Sequence, residues 1–521
     1  MRHMARAPED MTSELHARLS KILSTSDTAR RVADTDALFQ PDRNCWRLET
    51  ASQASVIIDA DDYFRHARKA MLAARHQILL IGWDFDTRIV LDSNSESHEG
   101  PRHIGPFLSW LARRRPELEI FILKWDLGAI KLLGRGSTLF RLAHWVVQDR
   151  IHFRLDHEHP AGASHHHKIL VIDDSLAFCG GIDMTAERWD TREHRDEDDR
   201  RQRPTTHRDY GPWHDATMAV AGPLAKALGE HGRARWEAAC GKPLPEPPAV
   251  DLDWPGTLPV MFRDQQFAIA RTRGATDAQS PLREIEQLFV DMIGAAERHI
   301  YIESQYFASR IVAEALADRL QEPDPPEIVV INPKAAGGWL EEKVMGPARA
   351  VLVEHIGKHD PTGRFRIYCP VAAHGTDIYV HAKIMIVDDR ILRIGSANLN
   401  NRSMGLDSEC DLALCADCCD DERVNETIAS LRADLLAEHL GVDQDIVEAW
   451  IARTGSLIET IEGLRGDGRT LKPYEIPDFT EAERKLAESQ LLDPESADNG
   501  FEPQSRPGLL TRLGRRKRKA T

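Results

Sequence analysis

The sequence predicts an α/β protein of two similar α/β/α sandwich halves, related by internal duplication and sharing one active site at their interface. Three observations predict it. The 521 residues exceed one ordinary domain and can bury two cores. A helix-then-strand pattern occurs twice, and a His-x-Lys-x-x-x-x-Asp spacing occurs once within each copy of that pattern.

The first copy opens over residues 61–76 with Phe64, Ala67, Met71 and Ala74 at helical spacing, followed by the strand-like run 77–85. The second opens with Ile285, Leu288, Phe289, Met292 and Ile293, followed by the run 299–307. Each continues, after a proline-bearing turn, into another short apolar run, 118–125 and 327–332. Strands and helices alternating at this interval are expected to form βαβ units with mostly parallel pairing and helices on both faces. Six prolines between Gly241 and Pro259 mark a connection between the halves. The expected organisation is an N-terminal helical segment over 1–51, a first half over 52–240 and a Pro-rich connection over 241–279. A second half over 280–440 and a C-terminal helix with a disordered basic tail over 441–521 complete it.

A net charge of −16 argues against broad affinity for nucleic acid, so any phosphate chemistry must draw on local positive charge. Eight cysteines without a compact secreted pattern fit a reduced, cytoplasmic compartment. No run approaches the roughly 20 apolar residues that cross a bilayer, and residues 1–10 lack an apolar signal core. A soluble protein is expected. The dense basic run from Arg515 to Lys519, after Leu509, Leu510 and Leu513, reads as a solvated tail or as an anchor to anionic lipid.

The first motif is His166-x-Lys168 with Asp173, then Gly180-Gly181-Ile182-Asp183; the second is His381-x-Lys383 with Asp388, then Gly395-Ser396-Ala397-Asn398. All spacings agree between the copies. The intervening apolar runs do not alternate, so each belongs to a strand buried on both faces. His and Lys two residues apart then share a face, and an imidazole beside an ammonium makes a site for an anionic oxygen. Two such halves facing each other supply two histidines and two lysines around one phosphate, one His attacking phosphorus and the other protonating the leaving alcohol. Asp173 and Asp388 complete the catalytic signature, yet they lie at the far end of their strands and are read as structural.

Both motifs resemble those of the phospholipase D superfamily, and the similarity spans roughly residues 52 to 440. Trp213-His214-Asp215, Glu303-Ser304-Gln305-Tyr306-Phe307, Arg402-Ser403 and Asp407-Ser408-Glu409 resemble segments of the eukaryotic-type, lipid-cleaving branch. The resemblance implies ping-pong chemistry through a phosphohistidine, with no metal and no cofactor, and with water or an alcohol as acceptor. It assigns the nucleophile to His166, the general acid and base to His381, and phosphate contacts to Lys168, Lys383 and Asn398. The duplication aligns Asp215 with Glu409 at one strand start, where a carboxylate orients an imidazole; each is expected to serve the histidine of the opposite half. Asp183 departs from Asn398: an ionised carboxylate facing phosphate would repel it, so Asp183 either turns away to support the loop or is protonated.

Other signals are weaker. His157, His159, His165, His166 and His167 cluster, as do Cys410, Cys415, Cys418 and Cys419. Each invites a zinc reading, but a loop flanking the motif and a strand of buried cysteines explain them without metal. The charged insertion 188–209 reads as a mobile surface loop or as a gate over the site. Trp145 and Trp339 are candidates for acyl-chain contact or for core. The function expected is cleavage of glycerophospholipid headgroups, at a membrane surface the protein visits peripherally, with no nucleic acid partner. Alternatives are a cardiolipin synthase-like transferase, a phosphodiesterase acting as a nuclease, and a non-enzymatic lipid-binding scaffold.

Overall fold

The computed structural model describes residues 37–480 and Asp493, apart from 94–98, 127–144, 146–148, 277–278, 336–338, 420, 422 and 478. Residues 1–36 and the basic run Arg515 to Lys519 therefore lie outside the described residues. Strands of the first half are β1 (Arg47–Ile58), β2 (Gln77–Gly82), β3 (Glu119–Trp125), β4 (Ile151–Asp156), β5 (Ile169–Ile172), β6 (Leu176–Gly180), β7 (Trp213–His214) and β8 (Ala216–Ala221). Those of the second are β9 (Phe262–Arg273), β10 (Leu282–Arg283), β11 (His299–Glu303), β12 (Glu327–Ile331), β13 (Phe365–Val371), β14 (Tyr379–Val380), β15 (Ile384–Val387), β16 (Ile391–Gly395) and β17 (Glu409–Cys415), followed by β18 (Thr470–Pro473). Helices used below are α1 (Ala60–Ala73), α2 (Ile104–Arg114), α3 (Pro223–Cys240), α4 (Glu284–Gly294), α5 (Arg310–Leu320), α6 (Trp339–Lys358), α7 (Asn401–Gly405) and α8 (Arg423–Leu440).

One sheet runs through both halves. From the central antiparallel pair β1 and β9, the order outward is β8, β6, β5, β2, β3, β4 on one side and β17, β16, β15, β11, β12, β13, β18 on the other. Each strand of the first series thus has a counterpart at the same rank, and the two motif strands, β5 and β15, match. Both faces are covered, and the motif strands β5 and β15 with their neighbours β2, β6, β11 and β16 are buried along their whole length. Leu79 and Ile81 of β2 join the cluster containing Leu224, Leu228 and Trp236 of α3 and Leu431 and Leu435 of α8. Ile78 and Leu80 join the opposite cluster, with Phe64 and Met71 of α1 and Phe107 and Leu108 of α2.

The expected mostly parallel pairing does not hold. Within this sheet only β2–β3–β4 and β11–β12–β13 are parallel; β1–β8, β8–β6, β6–β5 and β5–β2, and their counterparts, are antiparallel. The reason lies in the Asp-Asp pair that ends each motif. Asp173 and Asp174 have φ of 49° and 53°, Asp388 and Asp389 of 53° and 56°, and the turns close through Ser175 N–H to Ile172 O and Arg390 N–H to Val387 O. Two successive positive φ values make a type I′ turn, which returns the chain as a hairpin.

Three boundaries also differ. Strand β1 begins at Arg47, inside the segment expected to be helical. Strand β9 lies inside the 241–279 connection and forms half of the central pair. Within 441–521, expected to hold a helix and a disordered tail, strand β18 pairs with β13. Trp145 is core: it is fully buried and donates to Ser109 Oγ at 2.8 Å. The Trp339 side chain lies outside the described residues. Among the described residues no helix is long and apolar enough to cross a membrane.

The motif aspartates clamp the fold. Asp173 accepts from Arg75, His76 and Gln77 N–H at 2.6, 2.8 and 2.6 Å, and Asp388 from Glu297, Arg298 and His299 N–H at 2.5, 2.7 and 2.7 Å. Each carboxylate thereby ties a hairpin turn to the start of the neighbouring strand, away from the histidines, so neither belongs to the candidate catalytic set. Asp173→Ala leaves three donors at the start of β2 without their acceptor, and a loss on the order of 3 kcal/mol is expected, with Asp388→Ala matching it in the second half. Urea unfolding followed by tryptophan fluorescence measures this; a loss under about 0.5 kcal/mol would contradict the clamp.

Candidate active site

The two motif histidines sit just before β5 and β15, and both are held by backbone pairing with the other half. Strand β14 pairs in parallel with β7, and His381 N–H donates to His214 O at 2.7 Å. In the mirror arrangement His165 bridges Ser408, and His166 N–H donates to Ser408 O at 2.8 Å. Each motif therefore begins against the residue that precedes Asp215 or Glu409. Asp407 Oδ1 adds a bond from Ser164 N–H at 2.7 Å and is itself paired with Arg402 at 2.8 Å.

This crossing delivers the carboxylates. His381 Nδ1 lies 2.6 Å from Asp215 Oδ2, and His166 Nδ1 lies 3.0 Å from both oxygens of Glu409. The two sockets differ. Ser396 Oγ and Ser403 Oγ donate to Glu409 at 2.6 and 2.7 Å. At the position of Ser396 the first half has Gly181, where a Cβ would fall 2.2 Å from Asp215 Oδ1. Any side chain there would displace the carboxylate that holds His381. Asp59 Oδ1 accepts from Asp215 N–H at 3.0 Å, fixing this carboxylate from behind.

Lys168 and Lys383 each donate to the carbonyl of their own motif histidine. Asp183 turns one oxygen to Trp83 N–H at 3.0 Å and lies with the other 3.6 Å from Lys168 Nζ. It is thus both a loop support and a counter-ion. Asn398, its counterpart, is buried, and its Oδ1 has no hydrogen-bond partner.

Burial, then Lys168 and Lys383, hold His166 well below the ordinary imidazole range. Burial, then Lys383 and Arg188, do the same for His381. Both imidazoles are consequently neutral near pH 7 and able to act as nucleophile or base. Burial raises Glu409 to about 8 against the pull of Lys168 and the two seryl hydroxyls. Burial lowers Lys383 to about 7, with Lys168 and Arg188 adding to the fall while Asp215 and Glu409 oppose it. Two buried lysines beside the two imidazoles suit an anionic phosphate oxygen and the charge that develops on it.

Sequence reading missed Arg188, whose guanidinium lies 4.4 Å over the Trp213 ring. Trp213 in turn stacks on Tyr379 at 4.6 Å and stands 5.1 Å from His381. Nothing in a segment so rich in charge distinguishes Arg188 from its neighbours. Ser396 was legible, since aligning the two copies sets it opposite Gly181. The insertion 188–209 is not a free loop: Asp190, His194 and Arg201 are buried, and Asp196 accepts from His374 and Thr376 N–H of the second half at 2.9 and 3.0 Å. Of the histidine cluster, His159 contacts Asp126 at 3.0 Å, and His165 contacts Ser408 at 3.0 Å and Asp156 at 3.1 Å. Cys410 and Cys415 are buried in β17, and the cysteines are free thiols.

A family model described as Phospholipase D matches residues 366–452, which contain the second motif. Phospholipase D1 of Saccharomyces cerevisiae is 26% identical over 77% of this chain and 29% of its own length. Phospholipase D1 of Schizosaccharomyces pombe is 25% identical over 75% of this chain and 36% of its own. Phospholipase D alpha 4 of Arabidopsis thaliana is 24% identical over 80% and 68%. The chain thus spans about a third of the two yeast relatives. Among solved structures, phosphatidylserine synthase of Haemophilus influenzae Rd KW20 shares the fold, with a TM-score of 0.53 and 12% identity over 85% of this chain and 94% of that one. With its duplicated α/β fold and paired His-Lys motifs, the chain is similar to phospholipases D of the eukaryotic type.

Proposed function

We propose that this protein cleaves the headgroup phosphodiester of glycerophospholipids, giving phosphatidic acid with water or a phosphatidylalcohol with an alcohol. The observation that carries the reading is the pair of neutral imidazoles, each backed by a carboxylate of the opposite half and flanked by both motif lysines. In this reading His166 Nε2 attacks phosphorus; His381, neutral in the free protein, takes a proton from solvent onto Nε2 once the anionic phosphate offsets Lys168 and Lys383, and gives it to the headgroup oxygen as the bond from that oxygen to phosphorus breaks. Water or an alcohol then loses a proton to His381 and displaces His166 from phosphorus, restoring both residues. Asp215 and Glu409 orient each imidazole through Nδ1 and, in their ionised form, stabilise the imidazolium that forms. Lys168, Lys383 and Asn398 hold phosphate oxygens. The enzyme meets its substrate at a membrane surface, as a peripheral protein.

Incubation of the purified full chain with vesicles of phosphatidylcholine, phosphatidylethanolamine or phosphatidylglycerol, and separately with duplex DNA, tests the reading. Phosphatidic acid and free headgroup are expected, with phosphatidylethanol appearing when ethanol is added. Cleavage of DNA with no lipid cleavage would overturn it.

The charge balance gives a pH prediction. Lys383 carries its proton below about 7 in the free protein, so the phosphate-binding charge is present at lower pH and is lost as pH rises. kcat/KM, which reports the free enzyme, is expected to fall above about pH 7. Lys383→Arg keeps its charge at every accessible pH and is expected to move this alkaline limb upward whatever its effect on the absolute rate. A wild-type profile that is flat from about pH 6 to about pH 9 would contradict the assignment.

A further inference from the structure

Behind Asp215 lies a second group of titratable side chains that the proposed chemistry does not use. Asp59 follows β1, His194 belongs to the charged insertion, His214 to β7 and Glu438 to the last turn of α8; all four are buried. One donor atom from each lies within 4.8 Å of every other. His194 Nε2 and His214 Nδ1 are 2.9 and 2.8 Å from Glu438 Oε1, and 3.4 and 3.5 Å from the two oxygens of Asp59. Ligands about 2.0–2.1 Å from a tetrahedral zinc ion stand about 3.3 Å apart, in the middle of this range.

Hydrogen bonding alone leaves the group incomplete. Asp59 Oδ2 has no hydrogen-bond partner, and neither does His214 Nδ1, despite its closeness to Glu438. The outer nitrogens are, by contrast, well placed: His194 Nδ1 is 3.0 Å from Asp190 Oδ2, and His214 Nε2 is 2.7 Å from Glu303 Oε2. A carboxylate on the far nitrogen of each imidazole is the arrangement found around metal-bound histidine, and His194 Nε2 itself is hydrogen-bonded to Glu438 Oε1 at 2.9 Å. These carboxylates are braced in turn, Asp190 by Arg201 at 3.1 Å and Glu303 by Tyr301 and His439 at 2.5 and 2.9 Å. Two of the four inner residues also hold left-handed backbone, with φ of 65° at Asp59 and 43° at His194, strain of the kind that collects at ligand clamps.

We propose that Asp59, His194, His214 and Glu438 form a zinc site that is structural, one residue removed from the reaction centre. Two imidazoles and two carboxylates suit zinc, whereas calcium and magnesium prefer all-oxygen shells. The neighbouring group of His214, Glu303 and His439 has only three donors, and Glu303 satisfies both imidazoles by hydrogen bonds at 2.7 and 2.9 Å. The ion would join the insertion and α8 to Asp59, whose carboxylate and N–H both hold Asp215.

The test uses the full chain, purified without chelators or a metal-affinity tag, with zinc measured by mass spectrometry and its surroundings by X-ray absorption. About one zinc per chain is expected, in a nitrogen and oxygen shell at about 2.0 Å with imidazole scattering and no sulfur at about 2.3 Å. Asp59→Asn and Glu438→Gln are each expected to weaken zinc binding at least tenfold, and a Cys415→Ser, Cys418→Ser, Cys419→Ser variant to retain it. Protein that stays zinc-free after dialysis against zinc chloride and desalting would overturn the proposal. So would a sulfur shell, or zinc content indifferent to both carboxylate variants. The wild-type spectrum decides even where a variant fails to fold, and neither readout depends on lipid cleavage.

Discussion

Each motif imidazole takes its carboxylate from the other half of the molecule, and the rest of the structure follows from that exchange. His166 reaches Glu409 and His381 reaches Asp215 only because residues before each motif pair with residues before the opposing strand. That pairing needs the two halves fixed to within hydrogen-bond tolerance. The central β1–β9 pair does this, extending over Arg47↔Ile269 to Ala54↔Phe262 and making one sheet of two duplicated units. A half alone would hold its histidine without the group that sets the tautomer.

Duplication supplied the architecture, and divergence distinguished the two sockets. The first half presents a short carboxylate, Asp215, seated against Gly181; the second presents a longer one, Glu409, seated on Ser396 and Ser403. Asp183 beside Lys168 answers to Asn398 in the second half. The His166 and His381 environments are consequently unequal, as two roles in one reaction require.

Much of this was legible in the sequence because buried strands and motif spacings are local. The non-alternating runs before Asp173 and Asp388 announced strands covered on both faces, and the repeated offsets announced a shared site. The antiparallel half of each unit was less visible, because the reversing signal is an Asp-Asp pair at positive φ rather than the glycine-containing turn usual in such hairpins. Strand β9 was hidden because it follows a proline-rich run with only a few residues between. The insertion 188–209 reads as solvated because its charges are many, yet His194 is buried against Glu438 of the second half while Asp190 and Arg201 are buried against each other, and composition carries no record of such pairing. Arg188 illustrates the same limit: its contact with Trp213 exists only once the chain is folded.

Unequal histidines within one shared site are the centre of this account, and trapping the covalent intermediate examines that claim most directly. A p-nitrophenyl phosphodiester has a leaving group that needs no proton, so His381→Ala should still release about one nitrophenolate per site in a burst and then turn over very slowly. With a phosphorus-labelled substrate, the account predicts acid-labile, alkali-stable label on His166 in that variant. Label on His381 in the His166→Ala variant would reverse the roles, and no label in either variant would contradict the covalent two-histidine site itself.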